Sequence, residues 1–546
     1  MEAKTNYFVG MPPSPGLRGT YRTDLPARAA YAEGAGIYRI VPSAVAIPAD
    51  TADLVRLVRW AGAHGLALIP RGAGSGMAGG NVGDGVIVDL NRIGGRAVAI
   101  QAERRRAVAA ASVTHLELNR ATGAHGLRLP PDPSSGRFAT LGGMLSTNAA
   151  GARTVRYGSV RRWVEAAELV TSDGDVVRLE RGRAFRGTAA ALSRFESTVA
   201  PRLRAAADAI AAATPATRKN SSGYALDAWL ASGDLLDLVI GAEGTLGIVT
   251  QIEWRLDRHP GATAAIRVTL GSLDDLAGAV EALRTHEPSA VELLDRTFLE
   301  LVHGRAAAAA SGPEAVLLVE LEGETAAAAA ALAQAAARSV QPFAKRVETA
   351  LTTADIDHLW ALRHAASPIL AGLPESRRSL QVIEDGCVPL ARLGEYIREV
   401  RGAARERGLD IVLFGHAGDG HLHCNLLPEV ARDGWERSVG ALLDEIAGVV
   451  AALGGTLSGE HGDGRLRAPF LDRIFGAEVV ALFREVKAAF DPRDIFNPGV
   501  KLGSAPAVAR LKAGAAAVPL PDGIAGALRD LERRAGYATP RLELLD

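Results

Sequence analysis

The stretch Pro70–Leu90, PRGAGSGMAGGNVGDGVIVDL, holds seven glycines between two apolar runs. It constrains the fold more than any other segment, because main chain without Cβ atoms turns tightly and lets another group approach closely. Gly74, Gly76 and Gly79 satisfy the letters of GxGxxG. That fingerprint also needs a strand before the glycines and a helix opening directly after them. Here LALIPRG reads as a buried strand, but a turn and a second strand, GVIVDL, follow the loop. Strand–loop–strand excludes the Rossmann reading. What survives is a loop whose backbone N–H groups can converge on an anion such as a pyrophosphate. A flexible surface loop is the weaker reading, since apolar runs bracket the glycines.

Two further clusters share this texture. Leu129–Val160 mixes prolines and hydroxyls with Gly142, Gly143 and Gly151, and Gly241–Thr250 (GAEGTLGIVT) leads glycine and threonine into a strand. Each alone could be turn chemistry. Three together, without a helix-borne motif, favour a large phosphate-containing cofactor lying across several loops.

The 546 residues argue for two or more domains. A net charge of −1 argues against a nucleic-acid partner or a polybasic anchor. MEAKTNYFVGMPPSPG lacks the apolar core of a signal peptide, and no apolar run reaches the ~18 residues of a membrane helix. Two cysteines, Cys387 and Cys424, without CxxC, argue against an iron–sulfur cluster or covalent haem. The expected location is cytoplasmic, or peripheral to a membrane.

Up to about Asp257, strands alternate with glycine turns and a few helices, such as Ala52–Gly65; Asp173-Gly174 is a hairpin signal, and Leu238–Leu256 reads as strand or hairpin. Beyond it, strands alternate with alanine-rich helices such as Thr325–Ser339, expected on a surface, which points to an α+β domain with helices against one sheet. The end reads as a tail leaving the core, with one last charged helix.

FGHAGDGHLHCN (Phe414–Asn425) packs three of the chain's twelve histidines together. On an extended HLHCN, His421 and His423 share a face, and a Gly-Asp-Gly turn can fold His416 back beside them. SGEHGDG (Ser458–Gly464) can add Glu460, with His461 adjacent. Histidines plus a carboxylate suit Zn²⁺, Mn²⁺ or Fe²⁺, and spacing does not choose among them. Asp419 and Asp463 read first as turn residues, and Cys424 as packing. The bland alternative is a set of packed or surface histidines.

PRGAGSGMAGG, PPDPSS with ATLGGMLSTNAAG, and GAEGTLGIVT resemble the FAD-binding domain of the vanillyl-alcohol-oxidase superfamily. FGHAGDGHLHCN, SGEHGDG and FDPRDIFNPGVKL (Phe490–Leu502) resemble the C-terminal half of FAD-linked 2-hydroxy-acid dehydrogenases. That group includes D-lactate dehydrogenase, the glycolate oxidase flavin subunit and D-2-hydroxyglutarate dehydrogenase. The resemblance implies an α+β protein: a two-subdomain FAD-binding domain (1–258), a substrate or cap domain with an antiparallel sheet (259–455), a return segment (456–503) and a tail (504–546). It implies that Arg71, Gly72, Ala73, Gly74, Ser75, Gly76 and Gly79 hold the FAD pyrophosphate. Pro130, Asp132, Ser134, Thr140, Gly142, Gly143, Asn148 and Gly151 would line the isoalloxazine. Gly244, Gly247 and Ile248 would touch adenine or flavin, and Asn497, with Lys501 near it, would reach the flavin edge. Covalent members carry a histidine in the glycine loop; residues 71–80 have none, so the FAD is expected to be non-covalent.

The resemblance further implies metal ligands at His416, His423 and Glu460, a base at His461, and substrate contacts at Arg363 and Asn425, with Ser367 one helical turn beyond Arg363. His421 stands where the family commonly has asparagine, and is open as an extra ligand, a substrate contact or a donor to a ligand. D-2-hydroxyglutarate dehydrogenases bind the distal carboxylate with a lysine; Ser379–Pro389 has none, only Glu384 and Asp385. A lactate- or glycolate-like D-2-hydroxy acid is therefore expected. Its oxidation would move a hydride from C2 to flavin N5. Electrons would leave to a separate quinone, cytochrome, electron-transfer flavoprotein or iron–sulfur protein, and a homodimer is compatible with the sequence. The alternatives are a flavin subunit of a multi-subunit oxidase and, ranked far lower, a metal-dependent hydrolase that leaves the glycine clusters unexplained.

Overall fold

A computed structural model describes residues 12–304 and 312–545, without the side chain of Ser367. The expectations for the extreme N-terminus and for Ser367 lie outside the described residues.

The glycine loop joins two strands of a small sheet. Strands β1 (Thr20–Arg22), β2 (Ala44–Ile47), β3 (Leu68–Arg71) and β4 (Val86–Asp89) lie in the order β1-β2-β4-β3. β4 runs parallel to β2 and β3. Parallel neighbours need a crossover of on the order of a dozen residues, usually a helix. Here residues 72–85 make that crossing as bare loop. The helix Thr51–His64 opens on Asp50, whose side chain accepts from Asp53 N, and closes on left-handed Gly65; it buries Leu54, Leu57, Val58 and Ala61 at helical spacing.

A second, antiparallel sheet contains β5 (Val98–Gln101), β6 (Arg106–Ala110), β8 (Val164–Val170), β9 (Val176–Glu180) and β10 (Ile248–Arg255), in the order β5-β6-β10-β8-β9. Gly174, at φ 81°, turns the β8–β9 hairpin. Short strands β7 (Leu127–Arg128) and β11 (Asp257–Arg258) pair beside it. The reading of Leu238–Leu256 as strand fails in its first part. Leu235–Val239 is a buried helix, and strand begins only at Ile248. Short buried apolar runs do not declare their period.

The third sheet draws on β12 (Ala262–Leu270), β13 (Ala290–Asp295), β14 (Ala315–Gly323), β15 (Arg346–Ala350), β16 (Gly386–Cys387), β17 (Asp410–His416) and β18 (His421–Leu427). Their order is β15-β12-β14-β13-β17-β18-β16, with every pairing antiparallel. The helix Ala326–Val340 is not the surface helix expected: Ala329, Ala333, Ala336 and Val340 share a core with Val268, Leu317 and Val319. Small side chains let it close on the sheet, and a Cβ on Gly323 would stand 2.6 Å from Ala329 N.

The helix Leu471–Phe490 returns to the first core, where Phe483 and Phe490 pack with Phe195 and Trp229. The tail does not leave the core either. Its helix Asp522–Arg533 sets Ile524 and Leu528 against Val45, Ile47, Ile69 and Ile87, and Lys512 and Arg541 are buried. Among the described residues, no helix is long and apolar enough to cross a membrane.

Candidate active site

A single cavity of about 1290 Å³ runs along all three glycine clusters, the histidine hairpin and the Glu460–His461 turn. That exceeds the ~300–1,000 Å³ of ordinary small-molecule pockets. Gly72, Ala73, Gly74, Ser75, Gly76, Asp132, Ser134, Thr140, Gly142, Gly143, Gly151, Gly244, Gly247 and Ile248 line it. A Cβ on Gly76 would meet only Asn81 Nδ2 and one on Gly143 only Thr140 Oγ1, each at 3.1 Å. A side chain at either position would therefore project into the cavity. Bare backbone along an elongated cavity fits an extended phosphate-bearing cofactor such as FAD.

Of the other residues assigned to the cofactor, Arg71 also lines the cavity, while several stand behind it. The Arg71 guanidinium is buried on the carbonyls of Tyr31, Glu33 and Asn81, and burial pushes its pKa down to about 9. It braces the loop from below; a Cβ on Gly74 would stand 2.4 Å from its Nη2. Gly79 packs on the Tyr38 ring, 2.4 Å from where its Cβ would lie, and Pro130 is buried away from the cavity lining. Asn148, left-handed at φ 52°, closes the helix Leu141–Thr147 and accepts from Arg161 N. Asn497 donates to the carbonyls of Gly80 (2.8 Å) and Glu243 (2.9 Å), and Lys501 pairs with Glu243 and Asp463. The return segment thus stitches two glycine loops together rather than lining the cavity.

The β17–β18 hairpin pairs His416 with His421 and Phe414 with His423. His416 Nδ1 meets the Glu292 carboxylate, and His423 Nδ1 lies 2.6 Å from the Glu384 carbonyl. Both partners accept only, so each ring donates outward through Nδ1 and turns Nε2 inward. These two nitrogens are 3.2 Å apart, with Glu460 Oε1 at 3.2 and 3.4 Å. Three lone pairs facing one another repel unless positive charge sits among them. Ligands ~2.1 Å from a tetrahedral ion are themselves about 3.4 Å apart, so the trio could hold a divalent cation. Burial opposes it, but Glu384 and Glu460 raise the proton affinity of His423, so the trio draws positive charge in either form.

His421 borders this centre, with Nδ1 3.9 Å from Glu460 Oε1 and within reach of the same cation. It is fully buried, with Nε2 2.9 Å from Asp385 Oδ1 and Nδ1 3.4 Å from Lys219 Nζ. An ammonium only donates, so His421 Nδ1 is here an acceptor engaged by Lys219, and serving as a fourth ligand would mean displacing that contact. Burial and then Lys219 push its pKa down to about 3.

Anchors to which the sequence reading gave no role complete the site. Lys219 Nζ donates to Glu460 Oε2 at 2.8 Å. Asp385 accepts from the backbone N–H of Glu460 and of His461 and from Ser458 Oγ, which shapes the SGEHGDG turn. Glu384 holds His461 Nδ1 at 2.5 Å and pairs with the buried Arg467. Burial opposes protonation of His461, but Glu384 and Asp385 outweigh it and raise the pKa to about 10. The His461 ring stacks on His423 at 5.4 Å and stays open to the cavity.

Arg363 reaches the cavity over the Phe414 ring and spends its Nε on Glu292 Oε2 at 2.9 Å. Neither Nη has a hydrogen-bond partner among the described residues. Asn425 Oδ1 accepts from Ser379 Oγ and Gln381 Nε2, which leaves its amide hydrogens for the cavity. Asp463 does cap a backbone N–H, that of Gly223 in a distant loop, whereas Asp419 pairs with Arg218. Cys424 is packing, as expected.

Residues 42–180 match the FAD binding domain family, and residues 259–500 match the family described as FAD linked oxidases, C-terminal domain. The D-lactate dehydrogenase of Archaeoglobus fulgidus is 30% identical over 458 residues, which cover 83% of this chain and 89% of that protein. The chain belongs to the FAD-linked 2-hydroxy-acid dehydrogenase family. Glycolate oxidase subunit GlcD of Bacillus subtilis is 29% identical over 85% of this chain and 89% of its own length. The Escherichia coli D-2-hydroxyglutarate dehydrogenase is 28% identical over 89% of this chain but 50% of that longer protein. A solved 4-ethylphenol oxidase from Gulosibacter chungangensis superposes with a TM-score of 0.63 at 16% identity, covering 89% of this chain and 94% of that one. The fold is thus the vanillyl-alcohol-oxidase type, and the family's activity is oxidoreduction at CH–OH groups through FAD.

Proposed function

We propose that this dehydrogenase oxidises a small D-2-hydroxy acid, of lactate or glycolate size, at a centre formed by His416, His423 and Glu460 with a divalent cation. The observation that carries the reading is the inward-facing Nε2/Nε2/Oε1 trio on the same cavity as the glycine clusters. When bound, FAD supplies a hydride acceptor at N5, and the cation supplies a Lewis acid that lowers the pKa of the substrate hydroxyl.

The chain's own residues do the rest. The free Nη edge of Arg363 grips the substrate carboxylate, and the Asn425 amide donates beside it. Glu292 holds both Arg363 and His416, so one carboxylate sets the spacing between the substrate anchor and the trio. The ring edge of His461 opposite its Nδ1–Glu384 bond is placed to accept the hydroxyl proton. With a pKa of about 10 the ring carries that proton itself near neutrality, so it acts as a base only after losing it, and flavin reduction should speed up as pH rises. Arg378 is committed to Glu532, and Ser379 and Gln381 to Asn425, so the segment 378–381 keeps no free cation for a second carboxylate. That favours the small acids.

Anaerobic mixing of the flavin-loaded protein with D-lactate, D-glycerate, glycolate and D-2-hydroxyglutarate tests the reading. Bleaching of the flavin band by one or more of the smaller acids is expected; persistent oxidised flavin across the whole set defeats it. The subunit name of the B. subtilis relative supports a second reading, in which the chain passes electrons onward within a larger oxidase. Fast flavin reduction with turnover only after a partner fraction is added would favour that version.

A further inference from the structure

Lys219 is the part of the site that the proposed chemistry leaves unused. Its side chain is 1% exposed, and its three protons have three acceptors: Glu460 Oε2 at 2.8 Å, Gly151 O at 3.0 Å and His421 Nδ1 at 3.4 Å. These acceptors belong to the return segment, to the second glycine cluster and to the histidine hairpin. Asp419 Oδ2 lies 3.7 Å away and adds a second negative charge. An ammonium is a compact charge with three rotatable donors, which suits a junction of three segments.

A carboxylate has two equivalent oxygens, and the function of Glu460 depends on which one faces the histidines. Oε1 faces His416 and His423, while Oε2 is taken by Lys219. His421 is held in turn by Asp385, the residue that also binds the backbone N–H of Glu460. We propose that Lys219 is a positioning residue that fixes Glu460 so that Oε1 alone is presented to a cation, and that ties this orientation to the glycine segment at Gly151. The inference rests on the reading of His416, His423 and Glu460 as a cation site.

Charge and geometry predict opposite results when Lys219 is removed. By charge alone, deleting an ammonium beside the trio makes it more negative, so a divalent cation binds more tightly. By geometry, Oε2 loses its donor in a buried site, Glu460 is free to turn, and affinity falls by the roughly 10- to 100-fold typical of partners that orient metal ligands. The deciding measurement is Zn²⁺ affinity of the flavin-loaded protein, by competition with a chromogenic chelator, for the wild type, Lys219→Met and Lys219→Gln. Lys219→Met keeps the aliphatic bulk, and bound-flavin absorbance certifies its fold. Lys219→Gln keeps an N–H donor without the charge and carries the test alone if the methionine variant does not fold. At least tenfold weaker binding in Lys219→Met, with a smaller loss in Lys219→Gln, is expected. Loss below tenfold or tighter binding in Lys219→Met, or wild-type affinity in Lys219→Gln as sole variant, overturns the proposal. A wild type that takes up neither Zn²⁺ nor Mn²⁺ overturns the cation reading itself, and the proposal with it.

Discussion

His461 combines two properties that seldom coincide: it is held on one side by a buried carboxylate and remains open to the cavity on the other. Replacing it with glutamine keeps a similar shape but removes the proton acceptor. Turnover should fall by about 10²- to 10⁴-fold, the usual contribution of a positioned base, while bound flavin keeps its absorbance because the glycine loops are untouched. Stopped-flow flavin reduction checks this, and a loss under tenfold would exclude His461 as the base. Glu292 makes a second prediction. Burial opposes its ionisation, yet His416 and Arg363 hold its pKa at about 2. Glu292→Gln should therefore raise KM for the acid and weaken Zn²⁺ binding together, by about 10- to 100-fold each; movement of only one would show that the two anchors are independent. The histidines and Glu460 were legible because unusual residues crowd between glycines. Glu292 left a fainter mark, an acid in the middle of the apolar strand AVELLD, where a charge is buried only when paired. Lys219 left none: TRKNSSGY reads as a polar loop, and its partners are distant in sequence.

At the scale of elements, the β17–β18 hairpin sets the site by register. His416 stands opposite His421, and His423 is two residues on, so a one-residue slip would turn every imidazole to the other face. Gly151 is the matching point on the cofactor side. It sits at φ 142°, and a Cβ there would lie 2.2 Å from Asp132 O. Gly151→Ala must push Asp132 and its neighbours off the cavity wall and move the carbonyl that Lys219 holds. At least a tenfold loss of FAD affinity is expected, read from flavin fluorescence on dilution. Gly448→Ala is the control: it lies in the helix Trp435–Ala452 with nothing within 4 Å of the added carbon. It should retain FAD and gain up to about 1 kcal/mol from helix propensity. Equal flavin loss in both variants would mean that space at Gly151 is not what matters. The sequence showed that glycines approach something closely but not what: Gly76 and Gly143 leave room for a ligand, whereas Gly79 and Gly151 leave room for the protein's own atoms.

At the scale of the whole molecule, the seven-stranded sheet with its helices was legible as a change of texture, from glycine turns to strand–helix alternation, whereas the division of the earlier strands into separate sheets was not. Nor was the tail, because many of its apolar residues are small alanines broken up by prolines, glycines and charges; only the i, i+4 spacing of Ile524 and Leu528 betrays a buried face. Folded, it places Arg529, Glu532, Arg533 and Tyr537 on the wall of the cavity. Glu532 is its fastening: it accepts from Arg378 at 2.6 Å and from Lys512 at 2.9 Å, and Arg378 leads directly into the Ser379–Gln381 segment that orients Asn425. Burial opposes ionisation of Glu532, but Lys512 and Arg378 lower its pKa from 4.5 to about 2. A depressed folded pKa means stability that is present above the unfolded value and lost as pH falls through the folded one. The carboxylate should thus contribute at most about 3 kcal/mol near neutrality, fading between pH 4.5 and 2 as it takes up a proton. With the side chain 26% exposed, about 1–3 kcal/mol is the expected cost of Glu532→Gln at pH 7. Urea midpoints of wild type and variant should converge as pH drops from 7 towards 3, and KM should rise in the variant because the wall beside Asn425 loosens. A stability gap that is the same at both pH values would show that the tail is held by its apolar face alone.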